Sequence, residues 1–148
     1  MARLSRLVLP LLLVLSACGQ VQDTRPGTPV AHRQAAFKEI LKTFEPMGVM
    51  LREERFEPKE FKLLTEELLA RRDGPWEYFG ADTNYPPTHA KPDVWSDGEK
   101  FEAEKKNFKK VTDELVVAAK TGNQDKVGAA YRAVYDSCKS CHRQFKER

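Results

Sequence analysis

The sequence is poor in several features that would place it quickly. Its longest apolar run, Leu7–Leu15, falls well short of the roughly 20 residues a membrane-spanning helix needs. Alternating apolar and polar residues of strand type, internal repeats and low-complexity tracts are all missing, which argues against sheet, solenoid and disordered classes. An excess of one charge is missing too. Lys and Arg number 25 against 22 acids, and two of the basic residues, Arg3 and Arg6, belong to the leader described below. No concentrated basic field is left to neutralise phosphates, so no nucleic-acid partner is expected. Cysteine is scarce: Cys18, Cys138 and Cys141 are the only three. An odd count builds no simple disulfide framework, so each needs its own explanation. What remains, at 148 residues with 41% hydrophobic and 32% charged content, fits one domain with a single core.

The N-terminus reads as an address. Arg3 and Arg6 precede the apolar stretch, and Leu15-Ser16-Ala17-Cys18 follows it. This is the layout of a secretory signal, and its last four residues resemble a bacterial lipobox, where cleavage precedes a lipid-modified cysteine. The expectation is a signal peptide over 1–17 and lipidation at Cys18. The mature chain would then sit on the periplasmic side of a bacterial membrane. Gly19 stands where an aspartate would resemble an inner-membrane retention signal, which favours the outer membrane. An ordinary secretory signal with an incidental Cys18 is the alternative. Residues 18–28, polar with Pro26 and Gly27, suit a flexible tether.

Helical periodicity dominates from Pro29 onward. Val30, Phe37, Ile40, Leu41, Phe44, Met47, Gly48 and Leu51 recur in steps of three and four to about Arg52, the pattern of one buried helical stripe. Thr28 is the expected N-cap with Pro29 at the first helical position, and Pro46 should bend or interrupt the helix. A second helix is predicted from Pro58 to about Arg72 through Phe61, Leu64, Leu68 and Leu69, ended by Asp73-Gly74-Pro75 with Gly74 as a left-handed cap. Residues 73–96 read as a long ordered crossover pinned by Trp76, Tyr78, Phe79, Tyr85 and Trp95. A loop of that length usually has a function, here to cover one edge of a cofactor. A third helix spans about Asp97–Lys120, and Thr121-Gly122-Asn123 turns into a fourth. There Val127, Tyr131, Val134, Cys138, Cys141 and Phe145 step alternately by four and three, as the inward seam of a left-handed bundle requires. The fold class expected is all-α: an antiparallel four-helix bundle with a long crossover between the second and third helices.

Cys138-Lys139-Ser140-Cys141-His142 is a CxxCH haem c attachment motif. Two thiols at this spacing add to the two haem vinyl groups as thioethers, and His142 becomes the axial iron ligand. One covalent haem c is therefore the expected cofactor. A redox-active dithiol is the first alternative, but that chemistry favours a helix N-terminus, where the dipole lowers the thiol pKa. A zinc site is the second, with only His32 and His89 left to complete it.

Around this motif the chain resembles the cytochrome c′ family over residues 29–148. Three further stretches carry the resemblance: Arg33-Gln34-Ala35-Ala36-Phe37-Lys38, Pro75-Trp76-Glu77-Tyr78-Phe79-Gly80 and Pro92-Asp93-Val94-Trp95-Ser96-Asp97. Low-spin relatives carry a ligating methionine in the first helix where this sequence has Phe37. A phenyl ring binds no iron, so the resemblance implies a five-coordinate, high-spin haem with an apolar distal face. Met47 and Met50 lie ten and thirteen residues further on, roughly 15–20 Å along a helix axis, too far to substitute. His32 points about 140° away from Phe37, and His89 lies in the crossover. The resemblance also puts Arg33 near a haem propionate, with a solvated arginine as the alternative. It puts Lys146 on the proximal face, where the family usually has arginine, whose planar fork of donors a lysine lacks.

An open iron behind an apolar residue with no hydrogen-bond donor favours nitric oxide, or carbon monoxide, over oxygen. The expected function is thus diatomic gas binding, with nitric oxide binding or detoxification foremost. The alternative is a low-spin single-electron carrier in a respiratory chain, with an unidentified redox partner. No catalytic residue is assigned, since peroxide cleavage would need an acid or base beside the iron and Phe37's helical neighbours supply none. A homodimer through the first two helices is what the resemblance adds, although the Lys- and Glu-rich faces show no self-complementary patch.

Overall fold

The computed structural model describes residues 21–147; the expected signal peptide over 1–17 and the expected lipidation site Cys18 lie outside them. Five helices follow in order: α1 (Pro29–Arg52), α2 (Pro58–Arg71), the short α3 (Asp93–Ser96), α4 (Gly98–Lys120) and α5 (Gln124–Phe145). A 3-10 turn at Trp76–Tyr78 opens the crossover. The four long helices form a ring in which α1 touches α2 and α5, and α4 touches the same two. Among the described residues the only strand-like pairing is the isolated antiparallel bridge Ala90–Lys146. None of their helices is long and apolar enough to cross a membrane.

Local chemistry explains most of the boundaries, with some departures from expectation. Pro29 does start α1, but Thr28 makes no side-chain cap and sits at φ 38°. The cap comes from further upstream: Asp23 Oδ2 accepts from the backbone N–H of Val30 at 2.9 Å and Ala31 at 3.2 Å. Helix α1 runs unbroken through Pro46. An interior proline costs about 3 kcal/mol. Burying Phe44 and Met47, 6% and 0% exposed on either side of it, contributes about 1.5–3 kcal/mol each and offsets that cost. Gly74 does not act as a left-handed cap. Arg72, at the end of α2, instead donates to Lys109 O, Thr112 Oγ1 and Asp113 Oδ1 on α4. The turn between α4 and α5 follows expectation. Gly122 takes φ 63°, and Asn123 Oδ1 accepts from Lys126 N to cap α5.

The main core runs along the bundle and includes Ile40, Phe44, Met47, Phe61, Leu68, Leu115, Val127 and Val134. A smaller core of Val94, Phe101 and Phe145 closes the crossover end, and Trp76 packs against both. Leu41 departs from the predicted stripe and is 46% exposed, whereas Met50 is buried.

Candidate haem centre

The inward seam of α5 divides the two cysteines between the cores. Cys138 packs against the main core and Cys141 against Val94, Phe101 and Phe145. Both thiols are free. Burial pushes the Cys138 thiol up to about 11. Burial, with the nearby Glu104 carboxylate, pushes the Cys141 thiol up to about 12. Protonated thiols near the C-terminus of a helix are the reverse of a reactive dithiol, which needs a stabilised thiolate. Among the described residues no three His, Cys, Asp or Glu side chains converge as a metal ion would require, which sets the zinc alternative aside. The motif is braced from outside as well: Glu104 Oε1 on α4 accepts from Ser140 Oγ at 2.8 Å and Gln144 Nε2 at 2.6 Å.

His142 is exposed, yet the bundle beside it desolvates the ring enough to lower its pKa, and the charge of Lys146 lowers it further. Both effects favour the neutral imidazole, the form that binds a metal. Lys146 itself caps α5. Its side chain is exposed, and its backbone forms the bridge to Ala90.

Across the bundle Phe37 is half-buried against the same core that receives Cys138. Its ring meets Trp76 edge-on at 5.6 Å and Phe79 at 6.3 Å. His32 is exposed, as its helical direction predicts, and stacks on Tyr78 at 5.2 Å. His89 is also exposed, and its carbonyl accepts from Glu147 N. Met47 and Met50 are buried in the main core.

Arg33 corrects one alternative: it is 3% exposed and not a solvated surface residue. Its guanidinium donates to Tyr78 O, Thr83 Oγ1, Thr83 O and Thr88 Oγ1 at 2.5–3.0 Å, and lies 4.8 Å from the Phe79 ring centre. Burial lowers its pKa, partly countered by the Tyr85 and Asp23 charges. Gln34 Nε2 adds a bond to Pro87 O, so one turn of α1 holds the crossover at several points. The crossover is tied to the other chain end too, through Lys91 N to Phe145 O and Glu147 N to His89 O.

Trp76 was readable in the sequence only as an aromatic anchor. Its indole N–H is buried without an acceptor, so the aromatic surroundings of Phe37 contain a donor where none was expected. Two free protonated thiols one turn apart, a neutral imidazole next to them, a buried cation whose bonds go to neutral oxygens, and an unpaired buried N–H together fit a covalently attached porphyrin bearing carboxylates.

Fold and donor set thus define an all-helical c-type cytochrome. The comparisons with known proteins agree. The family described as Cytochrome C′ matches residues 28–146, and the chain belongs to the cytochrome c′ family. It is 33% identical over 131 residues to the cytochrome c′ of Rubrivivax gelatinosus, covering 86% of this chain and all of that one. The crystal structure of the Rubrivivax protein superimposes with a TM-score of 0.78 over 85% of this chain. Cytochrome c prime from Shewanella frigidimarina, 30% identical, matches at a TM-score of 0.79 over 84% of this chain and 98% of its own. Like its family, the chain carries one covalently bound haem c.

Proposed function

We propose that this cytochrome binds nitric oxide at a five-coordinate, high-spin haem. Cys138 and Cys141 would form the thioethers and His142 would ligate the iron, while Phe37 would offer it no second ligand. When bound, the haem supplies an iron that takes a diatomic ligand and exchanges single electrons. The chain's own residues do the rest. His142 is kept neutral for ligation, the Glu104–Ser140 bond braces the motif against α4, and Arg33 locks the crossover over the aromatic cluster. Arg33 also supplies the positive charge that favours ionised haem propionates, and Lys146 leaves a cation near the proximal imidazole.

The observation that carries this reading is that the first-helix side chain packed on the core shared with Cys138 is the phenyl ring of Phe37, which has no atom to ligate iron. Cytochrome c prime from Alcaligenes xylosoxidans, 28–29% identical, has been solved with nitric oxide bound in mutant or variant forms. A carbon monoxide complex of another variant is also known. Both findings support gas binding here. The domain plan is a signal peptide over 1–17, a lipid anchor at Cys18 on the periplasmic side, the outer membrane being favoured, and a haem domain from 29. Leu41 and Leu63, 46% and 60% exposed on α1 and α2, offer apolar ground for a homodimer.

The substitution Phe37→Met tests the reading, because it returns a sulfur to the first helix. The variant should turn low-spin in the ferrous state and lose most of its nitric oxide uptake, while wild type stays high-spin and reactive. Identical low-spin spectra for both would overturn the proposal in favour of an electron carrier.

A further inference from the structure

The bundle has two unlike ends. One holds the α1–α2 loop and the Thr121–Asn123 turn, where Gly122 approaches Pro58. The other holds the start of α1, the crossover, the start of α4 and the last turns of α5 with the CxxCH motif, tied together by the Arg33 bonds and the Ala90–Lys146 bridge. The N-terminal strap is fastened to this second end. Asp23 is the fastening: besides capping α1, its Oδ1 accepts from Tyr85 OH at 2.9 Å and Arg25 N at 3.2 Å. Arg25 lies 3.9 Å over the Tyr85 ring and donates to Asp82 O. The slack expected as far as residue 28 therefore stops at Asp23.

Taking the lipid anchor proposed at Cys18 as given, we propose that the haem-bearing end of the bundle is held against the lipid headgroup surface, with the crossover around Asp82–Tyr85 beside it. Asp23 lies five residues beyond Cys18, a reach of at most about 18 Å fully extended. Were the chain slack to Pro29, the reach would be about 40 Å. That would exceed the length of α1, whose 24 residues span roughly 36 Å, and the bundle could present either end. With the latch closed, Asp23 and the crossover residue Tyr85 that holds it, both on the haem-bearing end, stay within about the shorter reach.

The test uses full-length, lipidated holoprotein on phosphatidylethanolamine–phosphatidylglycerol vesicles carrying a headgroup fluorophore that haem quenches. One variant inserts a Gly/Ser spacer of about ten residues between Val21 and Gln22, lengthening the leash while leaving the folded domain unaltered. A second combines Asp23→Ala with Tyr85→Phe, opening the latch. Wild type should shorten the fluorophore lifetime strongly. Both variants should return it toward the protein-free value with vesicle association unchanged. Equal lifetimes for wild type and the spacer variant, or no quenching by wild type, would overturn the orientation. Failure of wild type to sediment with the vesicles would overturn the anchor and the orientation with it.

Discussion

At Gly48 the backbone of α1 comes so close to α5 that any Cβ would stand inside the van der Waals envelope of the Tyr131 hydroxyl, with Cζ at 3.0 Å. Tyr131 is stacked on Phe44 at 4.4 Å, so it cannot step aside freely. Gly48→Ala should therefore destabilise the protein by about 1–3 kcal/mol, the usual cost of overpacking. Adding Tyr131→Phe, which removes the offending oxygen, should restore part of the loss; urea midpoints of the single and double variants check both. Phe37 and Trp76 belong to the same scale but act differently. In the proposed site Phe37 matters for the ligating atom it lacks; Trp76 carries an N–H that burial leaves without an acceptor.

Among the elements, the strap and the crossover depart furthest from what the sequence suggests. Four donors hold the Asp23 carboxylate. Partial desolvation pulls its pKa upward, but the Tyr85 hydroxyl and the N–H groups of Ala31, Arg25 and Val30 prevail and keep it below 3.8, the ordinary value. A carboxylate so shifted stabilises the fold above its unfolded pKa, and that stabilisation is lost as pH falls through the folded value. Asp23→Ala should accordingly lower Tm at neutral pH, and the gap from wild type should close as pH drops below 3.8; thermal melts across pH read it. Helix positions were legible because burial repeats every three or four residues and every long helix is local in sequence. The cap on α1 was not, because its acceptor Asp23 precedes the N–H groups it caps by seven and eight residues and is also bonded by Tyr85, 62 residues away, while Thr28, the nearer candidate, takes a left-handed conformation. Arg33 is a similar case. Its acceptors lie 45 to 55 residues away, and no spacing rule connects a helix residue to a loop that distant.

Across the whole molecule, the bundle gathers Phe37, near its start, and Cys138, about a hundred residues later, onto one core. The attachment motif was readable from five consecutive residues, and the four-helix class from heptad spacing. Which aromatic side chains surround Phe37 depended on the crossover, whose course the sequence did not specify. The proposed five-coordinate haem requires this arrangement to leave one face of the iron open. The most direct measurement is the optical spectrum of the ferrous holoprotein before and after exposure to nitric oxide. The expected result is a five-coordinate, high-spin spectrum that converts to a nitrosyl form on addition of the gas. A six-coordinate, low-spin ferrous spectrum that nitric oxide leaves unchanged would contradict it.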